Sequence, residues 1–93
     1  MPKQFRPIRM GRDEIGRLYS LVIECPAVAT DNPQPLSVRR EWCYGRKRST
    51  YLGKAMLCDS GYWIAIDRDR RPLWCEAVPS SADAAKHLDA FYD

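Results

Sequence analysis

The alternation of apolar and polar positions is clearest in the C-terminal half of the chain. Residues 51–58 are mixed apolar, and Asp59, Ser60 and Gly61 follow as a turn signal. Residues 62–66 are aromatic and β-branched. They predict a strand with Tyr62, Ile64 and Ile66 on one face and Trp63 and Ala65 on the other. Residues 67–72 form a charged loop. Residues 73–78 are apolar again and predict a further strand, with Leu73, Cys75 and Ala77 opposite Trp74, Glu76 and Val78. Ser80 then stands where a helix N-cap belongs, and Asp83, three residues on, lies beside the positive end of that helix. Losing the cap would cost about 1 kcal/mol. Ala84, Leu88 and Phe91 recur at i, i+4 and i+7, a narrow apolar stripe that has to lie on the sheet.

The N-terminal half is less regular. Residues 1–12 carry two prolines and alternate Phe5, Ile8 and Met10 with Lys3, Arg6, Arg9 and Arg12. This is an extended basic arm, either an edge strand or a flexible lead, ahead of a single domain over residues 13–93. Residues 13–25 fit two readings. Ile15, Leu18, Tyr19 and Val22 share a helical face, with Asp13 and Glu14 at its start, whereas Gly16 and the Val22–Ile23 pair favour a strand over 17–25. The strand is the preferred reading, and Pro26 ends the element in either case. Residues 29–35 form a loop stiffened by Pro33 and Pro35. Residues 37–44 alternate as a strand, with Val38, Arg40, Trp42 and Tyr44 on one side and Trp42 inward. A basic turn over 45–50 follows. The expected fold is α+β: an antiparallel sheet of four to five strands with a C-terminal helix packed on one face.

Ninety-three residues make one domain. A chain of this size buries roughly 60–65% of its unfolded surface, enough for one core. The longest uncharged apolar run is far short of the roughly 20 residues that span a bilayer, and the first residues lack the apolar stretch of a signal peptide. The expectation is a cytoplasmic protein with no membrane partner. The net charge of +3 is unevenly spread. Residues 1–48 hold ten basic and five acidic side chains; residues 49–93 hold five and seven. A basic front suits a polyanionic partner, although solubilising charge produces the same asymmetry.

Gly61, Tyr62, Trp63 and Ile64, followed by a strand and then by Ser80, Ala84, Ala85 and Leu88, resemble a three-strand-plus-helix DNA-binding module. This module occurs in AP2 proteins and in the arm-binding domains of tyrosine recombinases. In that family the helix packs behind the sheet and the sheet's other face enters the major groove. The resemblance covers residues 51–93. It implies that Trp63, Arg68 and, on the preceding strand, Lys54 lie on or beside the DNA-facing side. The chain departs from the pattern around residues 51–55, where the family carries arginines, and at Glu76 and Ala77, where it carries Leu-Gly.

The remaining candidate chemistry is a basic and aromatic cluster: Arg39, Arg40, Arg46, Lys47 and Arg48, interleaved with Trp42 and Tyr44. Guanidinium groups pair with phosphate oxygens, and aromatic faces stack on unpaired bases. The alternative is that Trp42 is core and the arginines guard a sheet edge. Cys25, Cys43, Cys58 and Cys75 are spaced 15 to 18 residues apart, unlike the close pairs of structural zinc sites, so they read as buried free thiols and no cofactor is expected. His87 has no orienting partner near it in sequence, and Asp67 and Asp69 sit among three arginines in a loop without glycine, which opposes calcium. The expectation is therefore not an enzyme. It is a small binding module for nucleic acid or a nucleic-acid-bearing protein complex, the alternative being a protein–protein adaptor or an inhibitor of a host complex, as in phage or mobile-element accessory proteins.

Overall fold

The computed structural model describes residues 4–25, 34–43, 48–73 and 77–92. Five strands form one antiparallel sheet in chain order: β1 (Phe5–Arg12), β2 (Leu18–Glu24), β3 (Leu36–Trp42), β4 (Ser49–Leu57) and β5 (Trp63–Ile66). Helix α1 (Ser81–Phe91) packs over β4 and β5, with further contacts to β2 and β3. The α+β expectation holds. Each strand pairs with its sequence neighbour, so the sheet needs no crossover connection.

Of the two readings of residues 1–12, the edge strand is the one observed. β1 pairs with β2 from Phe5–Glu24 to Arg12–Leu18, with a bulge between Pro7 and Arg9. Proline, a bulge and a row of arginines are the features that keep an exposed edge from pairing with another chain. Residues 13–17 do not start a helix. They form the β1–β2 turn around the Asp13 carboxylate, whose Oδ1 accepts the N–H groups of Ile15 (3.1 Å) and Arg17 (2.8 Å). Its Oδ2 accepts Arg17 Nε and Trp42 Nε1, each at 3.0 Å. The helix reading failed because a turn-forming carboxylate satisfies backbone donors as well as a helix start does.

The core lies between α1 and one sheet face. Tyr19, Leu21 and Ile23 of β2, Leu36 and Val38 of β3, Leu52 and Ala55 of β4 and Ala65 of β5 meet Ala84, Ala85 and Leu88. Trp42 turns inward as its alternation demands and packs 5.7 Å from the Tyr19 ring. Ser80 Oγ accepts the Asp83 N–H at 3.2 Å and donates to Asp83 Oδ2 at 3.0 Å, so the helix begins where the cap residue places it.

One expectation is corrected. Phe91 is 57% exposed, because the buried stripe runs through Ala84, Ala85, Leu88 and Asp89. Tyr92, one turn beyond Leu88, takes the core-flanking place instead. The strand expected over residues 73–78 is described only at its ends, where Leu73 and Val78 hydrogen-bond to Ala65 and Trp63 of β5. Pro72 forms one isolated bridge with Ile66 and Val78 another with Trp63; residues 74–76, with Trp74, Cys75 and Glu76, lie outside the described residues. Pro72 has no N–H to donate at the mouth of the segment.

Candidate nucleic-acid interface

Strand alternation divides the basic cluster of β3 into two chemically different halves. Arg40 is paired in register with Leu21 and so faces the helix, where it is 8% exposed. Its Nε lies 2.7 Å from Asp89 Oδ1, its Nη2 donates to the Asp89 backbone carbonyl at 2.8 Å, and its guanidinium lies 4.7 Å from the Tyr19 ring centroid. Arg9 Nη2 reaches Asp89 Oδ2 at 2.6 Å, and the Tyr19 hydroxyl donates to the same carboxylate, 2.8 Å from Oδ1. Burial alone would raise the Asp89 pKa, but hydrogen bonds from Arg9, Tyr19 and Arg40 hold it below the usual carboxylate value. Arg40 is therefore corrected from a candidate ligand-binding residue to a group committed to the interior.

Arg39 points the other way. It pairs with Val22 on one side and Tyr51 on the other, so its side chain lies on the sheet face opposite α1. Among the described residues, no strand or helix packs on that face. The Arg39 guanidinium lies 5.0 Å from the Phe5 ring centroid, and its buried Nε has no hydrogen-bond partner. Tyr51, 37% exposed, and exposed Lys54 share the face with Phe5 and Met10. Two acids are there as well, Glu24, whose Oε1 accepts the Ser37 N–H at 3.1 Å, and exposed Glu41.

The turn after β5 approaches β4 at Gly53. Asp67 Oδ1 is used internally, accepting the N–H groups of Asp69 (2.8 Å) and Arg71 (3.0 Å), so that carboxylate is occupied by backbone rather than by the turn's arginines. Arg70 adopts a φ of 64°, and Arg68 stacks over Tyr92 with its guanidinium 4.1 Å from the ring centroid. Gly53 permits the close approach. A Cβ there would collide with the Ile66 carbonyl, and β4 bulges beside it, between the pairs Val38–Gly53 and Arg39–Tyr51. The Tyr51 hydroxyl is pushed up by burial, while the charges of Arg39 and Arg70 pull it down.

The other expected site residues separate. Lys54 lies on the open face as the resemblance implies. Trp63 does not: it sits on the helix side, packed against the core, because its register partner is Leu57 and its neighbour Ala65 is buried. Trp42 likewise belongs to the helix side. Arg68 lies in the turn, on the Tyr92 ring, and Arg48 is exposed just before β4. Tyr44, Arg46 and Lys47 lie outside the described residues. The residues missed from the sequence are Phe5 and Tyr51, which register with Glu24 and Arg39 brings to the same face.

Cys25, Cys43 and Cys58 are free and follow the ends of β2, β3 and β4 instead of lying within them; Cys43 is exposed. Among the described residues, no three metal-ligating side chains converge. A shallow cavity of about 220 Å³ between the β1–β2 turn and Tyr92 is lined by Asp13, Arg17 and Arg40, all committed to partners within the chain. No helix among the described residues is long and apolar enough to cross a membrane. In a scan of known protein families, a search of curated proteins and a search of solved structures, nothing matches this chain.

Proposed function

We propose that this chain is a non-enzymatic binding module that engages nucleic acid through the sheet face opposite its helix. The observation that carries the reading is Arg39. Its guanidinium lies against a ring face and forms no ion pair among the described residues, and it stands beside Tyr51 and Lys54 on the sheet face opposite α1. A guanidinium fixed in this way keeps hydrogen-bonding capacity for a phosphate, and it loses less freedom on binding than a solvated arginine does. The basic residues Arg46, Lys47 and Arg48 of the β3–β4 connection add charge in the same part of the sequence.

The test is fluorescence anisotropy with labelled DNA and RNA at 50 and 200 mM salt. Affinity is expected to fall steeply with salt and to be lost when Arg39 and Lys54 are both changed to Glu, or when Arg46, Lys47 and Arg48 are. Affinity indifferent to salt and to both sets of changes refutes the reading.

A second reading has its own observation. Met56 pairs with Ile64, and Ile66 pairs with Lys54, so the β4–β5 end of the same face is apolar. That composition suits a protein partner, in which case the chain acts as an adaptor or an inhibitor. Recovery of a stoichiometric protein partner after nuclease treatment, lost on Ile64→Lys, would favour this reading over the first.

A further inference from the structure

Resting on the nucleic-acid reading above, we infer that the ligand of the open face is single-stranded, with Tyr51 stacking on an unpaired base beside phosphates held by Arg39 and Lys54. The placement of Tyr51 argues for this. Its ring stands on the sheet surface in register with Arg39, not on a protruding turn or helix that would enter a groove. Duplex bases present only their edges to a protein, because their faces are stacked on one another. A ring that belongs to the pleated surface meets a base face only when the base is unpaired.

The charges around the ring complete the pattern. Arg39 of β3 is in register with Tyr51, and exposed Lys54 lies on the same face of β4, so two cations stand beside the ring. Arg39 forms no ion pair among the described residues, where the ion pairs belong to Arg9, Arg17 and Arg40. Phe5 holds the Arg39 guanidinium and Tyr92 that of Arg68 by cation–π contact, without an anionic partner. From β1 to β4 the face spans three strand spacings, about 14 Å, so the contact covers a short stretch of nucleotides.

The experiment measures anisotropy of four labelled probes: 12-nucleotide oligothymidine, 12-nucleotide oligouridine, and 12-base-pair DNA and RNA duplexes. Wild-type protein is expected to bind at least one single strand more tightly than either duplex. Tyr51→Ala should weaken single-strand binding roughly tenfold, and Tyr51→Phe, which keeps the ring, should leave it within about twofold. Arg39→Gln and Lys54→Gln should each reduce the slope of log affinity against log salt by roughly one. Should Tyr51→Ala fail to fold, photo-crosslinking of the wild-type protein to 5-iodouridine-containing RNA decides the matter: the adduct is expected at Tyr51. Duplexes bound as tightly as single strands, unchanged by Tyr51→Ala, would overturn the single-strand inference and leave the nucleic-acid reading standing. No binding to any probe at low salt would overturn both.

Discussion

Arg40 of β3 closes the C-terminal end of α1 through Asp89, with Nε 2.7 Å from the carboxylate and Nη2 2.8 Å from the backbone carbonyl of the same residue. One guanidinium thus neutralises a buried acid and caps a carbonyl of the last turn, where the helix has no basic residue of its own. Arg9 and Tyr19 complete the shell, so a single carboxylate ties the helix to β1, β2 and β3. Removing it would leave Arg40 buried without a counter-charge. Asp89→Ala is expected to cost about 3–5 kcal/mol. Stabilities of small domains are about 5–15 kcal/mol, so a urea melt followed by circular dichroism should show a large drop in the midpoint. A change below about 1 kcal/mol would mean that the cluster contributes little.

The same carboxylate sets an acid limit on stability. Its pKa in the folded protein lies below the reference value of 3.8, because the arginine and tyrosine hydrogen bonds outweigh burial. Between those two values the unfolded chain binds more protons than the folded one, so stability rises with pH there. The contribution is complete above about pH 5 and disappears as pH falls through the folded-state value. Asp13, also lowered by its hydrogen bonds despite the opposing effect of burial, acts in the same direction. Urea midpoints measured from pH 7 down to pH 2.5 should stay level at first and then fall, and Asp89→Asn should flatten the fall. A wild-type curve that matches that of Asp89→Asn throughout would remove the assignment.

The main elements were legible in the sequence because each rested on local physics. The Ser80 cap, the alternation over 62–66 and the inward Trp42 each needed only their own neighbours. The partners of the basic residues were not legible in that way. Arg39 and Arg40 looked like one cationic patch because they are adjacent, although Trp42 inward already implied Arg40 inward. What was missing was Asp89, 49 residues away, whose place on the buried helix stripe identifies it as the counter-charge. The charged loop over residues 67–72 is exposed from 68 to 72 as expected, but its approach to β4 depends on Gly53, beside a bulge that alternation does not announce.

That glycine supports its own prediction. Gly53 has a φ of 143° and no room for a side chain, since a Cβ would overlap the Ile66 carbonyl, a backbone atom that cannot rotate away. Gly53→Ala should therefore destabilise by about 2 kcal/mol or more, through backbone strain and displacement of the β5 turn together. In NMR spectra of the variant, the largest amide shifts should cluster at residues 66–71 and at Tyr51. Wild-type stability with shifts confined to residues 52–54 would contradict the close approach.

The division of β3 predicts that two adjacent arginines fail in different assays. Arg40→Gln leaves Asp89 with one fewer cation in a buried site and should lower stability by about 2–4 kcal/mol. Arg39→Gln removes a partly exposed guanidinium from the Phe5 ring, a change worth about 0.5–1 kcal/mol. Binding should show the reverse order. Arg39→Gln is expected to weaken nucleic-acid affinity and reduce its salt dependence. Arg40→Gln should leave the affinity of the folded fraction near wild type, because that side chain faces the helix. Chemical denaturation and anisotropy on the same two preparations make the comparison. Equal losses of stability for both variants, or equal losses of affinity after correction for unfolded protein, would show that strand alternation does not separate their roles.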